Sequence, residues 1–495
     1  MAPTPFGAPM RQHFLLDPNY KNLNHGSFGT YPTPIRETLH NFQTQAESSP
    51  DEFLRYTQPA ALTTARHSLS QLLNCPASDL VFVKNATTGI ATILHNLPFA
   101  DHDVLLYFST VYGAVENGIF SLLDHLPPGK LQTRKIEYSL FPAPLAPAML
   151  VETFRQTIRE VRAQGLTPKI AVLETVVSLP GIRFPVEEIV AVCRAEGVWS
   201  CVDAAHGVGM LGLDLGVEFN GETPGRQGEK EEDAAGAAGA GGNSTSYPKL
   251  KLHGVDFLTS NCHKWLYTPR SCALLYVNPI HQHLIRTTLP TSWGYIPAEN
   301  GNHKARPSLM ASAGTKTPFE TLFEFVATAD DTPYLCTPAA LQFRTDICGG
   351  EEAIYTYLED LANEAADLVS EGLGTEVLGD LSPEEKENGL KRSLWRRCAM
   401  NNVRLPLEVA VAGTGQHANK DGKQVLQPAQ VPAVVDWMQR RLVEDYRTFV
   451  PVFAHGGWLW VRLSAQVYLE KSDFEWLVPV LKALVGRVKE EFNLA

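Results

Sequence analysis

The chain has 495 residues, 44% apolar and 19% charged, with 42 basic against 54 acidic side chains and a formal charge of −12. That composition is globular and long enough for more than one structural unit, and the acidic balance argues against nucleic acid or an anionic membrane as partner. No apolar run reaches the ~20 residues of a membrane span, Met1 to Arg11 lacks the apolar core of a secretory signal, and Phe492 to Ala495 is not a peroxisomal address.

In chain order, residues 1–35 read as an arm, with Asn24 to Gly29 as a polar turn. Residues 36–75 are expected to be helical, and Asp79 to Val83 to be a strand. Asn85-Ala86-Thr87-Thr88-Gly89 then opens a helix with Ile90, Ile93, Leu94 and Leu97 on one face. Its small and hydroxyl residues make the helix N-terminus a ready phosphate site. Val104 to Phe108 is a predicted strand followed by Tyr112 and Gly113. Lys169 to Leu173 is another, ending at Glu174. Pro185 to Gly197 has helical periodicity and a glycine stop. Val198 to Val202 is a short apolar run ending in Asp203-Ala204-Ala205-His206. An acid at the C-terminal end of a buried strand sits where open α/β sheets bind ligands. The repeated strand–helix–strand order predicts a mainly parallel sheet between helices.

Glu218 to Lys249 carries a charge run and an Ala/Gly tract with almost no large apolar residues. Such a segment cannot repay its ordering entropy, so a disordered insertion is expected over 219–250. Val255 to Thr259 and Cys272 to Val277 are apolar runs on either side of Ser260-Asn261-Cys262-His263-Lys264-Trp265. A lysine at a strand end beside a histidine is poorly explained by packing, because buried lysine is costly unless paired or neutralised. It is well explained if Lys264 bonds to an aldehyde cofactor, since burial and nearby cations make lysine a nucleophile. From about Pro338 the composition changes. A helix over Gly350 to Gly372 leads into a smaller α+β unit with strands at Ala399 to Leu405 and Trp458 to Leu463. Ser472-Asp473-Phe474-Glu475 reads as a capping box opening the last helix. Eight scattered cysteines without a CxxC pair, several in apolar runs, predict reduced, buried thiols and a cytoplasmic protein. No metal site is expected.

These stretches, in this order, resemble the fold-type I pyridoxal-phosphate enzymes of the class V aminotransferase family. Asn24 to Gly29 and Arg462 to Tyr468 resemble its isopenicillin N epimerase-like branch. Phe53 to Tyr56, Val177-Ser178, Pro180-Gly181, Arg183 to Pro185, Asn261 to Trp265, Thr288 to Ser292 and Arg462 to Glu470 are similar to the fungal hercynylcysteine sulfoxide lyases within that branch. The resemblance implies an α/β fold: an arm (1–35), a large cofactor-binding domain (36–337) and a small C-terminal α+β domain (338–495). It implies Lys264 as the cofactor lysine and general base, Asp203 at the ring nitrogen, Tyr112 stacked on the ring, and His206 near the ring hydroxyl or face. Ala86, Thr87, Thr88, Ser178, Asn261 and His263 are implied as further cofactor contacts, with Thr328 reaching the phosphate from a neighbouring subunit of a homodimer. Arg462 is implied to hold the substrate α-carboxylate, with Asn24, Arg55 and Arg397 as further substrate contacts. The implied reaction is cleavage of hercynylcysteine sulfoxide to ergothioneine, pyruvate and ammonia. Epimerisation, transamination or a loline-pathway-like bond formation are the alternatives. Lys135 stands where the lyases carry a cysteine.

Overall fold

Seven strands order the molecule: β1 (Leu80–Val83), β2 (Asp103–Phe108), β3 (Leu131–Ile136), β4 (Thr167–Glu174), β5 (Trp199–Asp203), β8 (Phe257–Ser260) and β9 (Ala273–Val277). The short strands β6 (Leu213–Asp214) and β7 (Leu250–Lys251) pair apart from this sheet. The computed structural model describes residues 2–142, 145–216, 247–289, 291, 294–297, 316–381, 383–387, 389–410 and 424–494. The sheet order is β1-β9-β8-β5-β4-β2-β3. Strands β3, β2, β4, β5 and β8 run parallel, while β9 lies antiparallel between β8 and β1.

The central strands are buried on both faces, so they read as apolar runs rather than alternating ones. Alternation still decides which core each side chain enters. Leu106, Phe108, Ala171, Leu173, Val202 and Leu258 join one core with the helices Gln58–Leu73, Pro147–Ala163 and Val186–Glu196. Leu105, Tyr107, Ile170, Val172, Cys201 and Phe257 join the other, with Ala86–Asn96 and Gly113–His125. Gly197 ends its helix with φ +64, a left-handed C-cap as its position predicts.

A second sheet, β10 (Met400–Glu408), β12 (Trp458–Ser464) and β11 (Val452–His455), is antiparallel and packs with the helices Glu351–Leu373 and Lys471–Glu491. The N-terminal segment is built into this region. Met10, Phe14 and Leu23 are buried, and the Ser464 amide donates to Leu23 O at 3.3 Å. The last helix starts earlier than its sequence suggests. Glu470 is the N-cap, and Glu470 and Asp473 form the capping box.

As far as residue 246, the expected insertion lies outside the described residues. Its last residues are ordered. The Tyr247 hydroxyl donates to Glu359 at 2.8 Å, and buried Leu250 pairs with Leu213. Unlike the Ala/Gly tract, these residues have apolar surface to bury.

Candidate active site

The C-terminal ends of β4, β5 and β8 converge on Lys264. Asp203 ends β5, Glu174 pairs with it in register at the end of β4, and the turn after β8 carries Asn261, His263 and Lys264. Two close approaches fix this turn. Gly29 has φ +63, and a Cβ there would lie 1.9 Å from His263 O, so the Asn24–Gly29 motif lies directly on the lysine turn. A Cβ on Gly89 would lie 2.4 Å from Thr259 Oγ1, so the helix Ala86–Asn96 sits tight against β8. Only glycine allows either contact.

Side chains complete the fixation. His25 bonds Lys264 O (2.5 Å) and the Tyr468 hydroxyl (2.9 Å). Arg344 donates to Trp265 O at 2.8 Å. His263 Nδ1 lies 2.8 Å from Cys272 O, and burial lowers its pKa to about 4 against that bond.

Lys264 Nζ lies 3.2 Å from His206 Nε2, and Trp265 Nε1 donates to His206 Nδ1 at 3.1 Å. Burial lowers the Lys264 pKa from 10.5 to about 8, with Asp203 opposing and Arg462 assisting. Burial, then Lys264, Arg462 and His25, hold His206 well below its ordinary value. Burial raises the Asp203 carboxyl, against the Ala205 amide (2.9 Å) and the Lys264 cation. Glu174 is pushed up well beyond the usual carboxylate range by burial and then by Asp203.

The first turn of Ala86–Asn96 presents backbone amides with no intrahelical acceptor. Asn85 Oδ1 caps Thr88 N at 2.8 Å, and Asn261 Oδ1 accepts from Ala86 N at 2.9 Å. The Thr87 amide has no partner among the described residues, and Thr87 is exposed. Asn261 therefore ties the lysine turn to this helix and occupies the Ala86 amide.

Arg462, on β12, is 1% exposed. It donates to Ser178 O (2.8 Å), Asn24 Oδ1 (2.7 Å) and Ser27 Oγ (2.9 Å), and its Nε is buried without a partner. No carboxylate among the described residues pairs with it. Burial lowers its pKa to about 10. Asn402, its cross-strand neighbour, holds both Gly181 N (2.8 Å) and Gly181 O (2.9 Å), which fixes the loop carrying Ser178.

Other expected residues are exposed. Tyr112 caps the helix Gly113–His125 and is half exposed. Arg55 is exposed and paired with Asp51 at 3.0 Å. Arg397 is exposed, whereas its neighbour Arg396 is buried against Asp367 and Asp380. Thr328 is exposed and lines a recess of about 530 Å³ with Phe53, Gln58 and Asp330. Lys135 lies on edge strand β3, paired with Glu116 at 3.1 Å. Sequence reasoning missed Glu174, although it carries the signal that picked Asp203, an acid ending a buried strand. It also missed Asn402, which read as an ordinary strand residue, and a role for Trp265, which stood in the lysine motif without one.

No family model matches the chain. The L-cysteine desulfhydrase-like protein lolT1 of Epichloe uncinata is 38% identical over 489 residues, spanning 98% of this chain and 97% of that protein. The chain belongs to the class V aminotransferase family of pyridoxal-phosphate enzymes. Another member, the hercynylcysteine sulfoxide lyase of Schizosaccharomyces pombe, is 26% identical across 96% of this chain and 97% of its own. The fold is shared with a solved structure of a C-DES mutant with glycine covalently linked to its pyridoxal-phosphate cofactor. That match has TM-score 0.64 and 18% identity, covering 95% of this chain and 98% of that one. The family member described here is a pyridoxal-phosphate-dependent enzyme of the carbon–sulfur lyase kind. No helix among its described residues is long and apolar enough to cross a membrane.

The residues present fit this cofactor. A lysine with a lowered pKa, a buried carboxylate on the adjacent strand, and an unpaired amide at a helix start lie around one strand-end cluster. They match in turn an aldehyde, a ring nitrogen and a phosphate.

Proposed function

We propose that the protein is a β-eliminating lyase of S-substituted cysteine sulfoxides, with hercynylcysteine sulfoxide as its substrate and ergothioneine, pyruvate and ammonia as the eventual products. The observation that carries the amino-acid part of this reading is Arg462, a buried guanidinium with an unpaired Nε and no carboxylate partner among the described residues. A substrate α-carboxylate supplies the missing anion. Asn24, Ser27 and Ser178 orient the guanidinium for it.

When bound, pyridoxal phosphate supplies an aldehyde for the substrate amine and a ring that stabilises negative charge at the α-carbon. Lys264 holds the cofactor and, once released, removes the α-proton as general base. Asp203 provides the anion facing the ring nitrogen. Tyr112 covers the ring face and His206 lies beside it. Thr87 and Thr88, with Ala86, Asn261, His263 and Ser178 around them, form the phosphate side. Thr328 serves the phosphate of a partner subunit, which makes the enzyme a homodimer. Arg55 and Arg397 are outer substrate contacts.

The cysteines favour elimination over transfer of sulfur to the enzyme. Seven of the eight are buried, and burial raises the remaining one, Cys75, to about 12. An acceptor thiol needs exposure and a low pKa. Position 135 bears on this little, since Lys135 pairs with Glu116 on the edge strand. Elimination breaks the C–S bond with both electrons leaving on sulfur. A sulfoxide substrate therefore releases a sulfenate, which two equivalents of an external thiol reduce to the thione, leaving a disulfide and water. The free, buried thiols fit a reducing compartment, and we place the enzyme in the cytoplasm.

A second reading, L-cysteine as substrate, rests on the name of the 38% identical relative. The test is to supply hercynylcysteine sulfoxide, an S-alkyl cysteine sulfoxide and L-cysteine to the holoenzyme without a keto acid. Repeated release of pyruvate and ammonia, fastest with the first, is expected. Pyruvate from L-cysteine alone supports the second reading. A single turnover that restarts on adding a keto acid identifies an aminotransferase. Solvent deuterium at the α-carbon without pyruvate identifies an epimerase.

A further inference from the structure

The indole N–H of Trp265 can only donate. It is fully buried and points at His206 Nδ1 from 3.1 Å, so Nδ1 must present a lone pair. A neutral imidazole with a bare Nδ1 carries its proton on Nε2. That Nε2 lies 3.2 Å from Lys264 Nζ. An ammonium has three hydrogens and no lone pair, so it cannot accept from Nε2–H. A free amine can. The imidazolium form is excluded by the same indole, since a proton on Nδ1 would face another N–H.

We propose that Trp265 is a positioning residue. By occupying His206 Nδ1, it fixes His206 as the Nε2–H tautomer and makes the imidazole a donor toward Lys264 Nζ, which favours the free amine that attacks an aldehyde over the ammonium. This rests on the reading of Lys264 as the cofactor lysine. The indole itself is held in place. Its residue's carbonyl is bonded by Arg344, and the His25 ring lies 5.2 Å from the indole.

The other charges facing this chain divide. Asp203 on β5 favours the ammonium, while Arg462 on β12 favours the amine. Arg462 and His25 also face His206, and His263 precedes the lysine on its own turn. Since Asp203 pulls toward the charged form, a fixed donor on His206 has a definite job: it removes the acceptor that an ammonium would use.

The test uses the full chain and the variant Trp265→Phe, which keeps an aromatic ring and deletes the N–H. The cofactor is removed and pyridoxal phosphate is added back from pH 6.5 to 10. The adduct is trapped with borohydride and located by peptide mass. In the wild type the initial rate of labelling at Lys264 should rise with a midpoint near 8. In Trp265→Phe the midpoint should move up by about one pH unit or more, with a roughly tenfold slower rate at pH 7. An unchanged midpoint in a natively folded variant overturns the proposal. Independently of any variant, the 15N shifts of His206 in the cofactor-free wild type should show a bare Nδ1 and a protonated Nε2. A protonated Nδ1 overturns the proposal, and this measurement decides the matter if the variant does not fold. A label on a different lysine rejects the cofactor reading instead, while the nitrogen shifts still judge the tautomer.

Discussion

Two fully buried arginines show how structure and function part in this molecule. Arg344 is 0% exposed, and both faces of its charge are answered within the chain: Glu351 meets it through two bonds, and the carbonyls of Trp265 and Gly209 take the rest. Its pKa rises, with Glu351 outweighing burial. Arg462 is 1% exposed and has only neutral acceptors among the described residues, with its Nε left over and its pKa lowered to about 10. Burying a charge without an opposite charge is expensive. Arg344 braces the lysine turn, and Arg462 is the residue proposed to take the substrate's carboxylate.

The largest expected effect separates these two residues directly. Arg344→Met leaves Glu351 without its partner and should destabilise the cofactor-free protein by about 3 kcal/mol or more, as broken buried pairs do. Arg462→Met removes an uncompensated charge and should be within about 1 kcal/mol of wild type, or more stable. Urea unfolding of both variants measures this. Equal losses would erase the distinction.

Lys264 belongs with Arg462, as a cation whose burial outweighs its nearest anion. The folded chain gives up this proton near 8 and the unfolded chain near 10.5. Between those values the unfolded state holds more protons, so stability rises with pH. Lys264→Met should therefore be more stable than wild type by about 3 kcal/mol below pH 8, with the gap closing toward pH 10.5. A pH-independent gap would place the cost elsewhere.

Asn24 tests the neutral acceptors. Its Oδ1 takes bonds from Arg462 and from Ser27 (2.8 Å). Asn24→Ala should raise KM about tenfold with kcat changed by less than about threefold, the pattern of lost ground-state binding. A fall in kcat at constant KM would move Asn24 into the chemical step. The smallest effect is expected at Lys135. Its ion pair with Glu116 lies on the edge strand, so Lys135→Ala should change stability by less than about 0.5 kcal/mol and leave turnover as it is. A large loss of rate would reopen the question of the cysteine expected at that position.

The contrast also marks what was legible in the sequence. Asp203 and Lys264 could be read because a charged residue ending an apolar run is anomalous, and the geometry places both at strand ends beside one another. Arg462 could be read from its motif, but its lack of a counter-ion could not. That depends on Asn24, Ser27 and Ser178, which lie hundreds of residues away in the chain. Arg344 was invisible for the converse reason: its partner Glu351 is close in sequence, and an arginine near an acid looks like a surface pair. Trp265 stood in the lysine motif without a role of its own, because the partner of its single N–H, His206, is distant in sequence. The Ala86 amide looked available to an anion until Asn261 was found on it. Local patterns thus reveal which residues are out of place, and only the fold reveals which remain unpaired.

The central claim is that the anion missing from Arg462 is the substrate carboxylate. It is tested most directly by comparing L-alanine with ethylamine, which lacks that carboxylate, for binding to holoenzyme followed by the cofactor's absorbance. Wild type should prefer L-alanine by about 100-fold, roughly the 2.7 kcal/mol of a strong charge-assisted contact. Arg462→Met should bind the two with less than about a threefold difference. If the variant keeps the wild-type preference for L-alanine, the carboxylate is held elsewhere and the account of Arg462 is wrong.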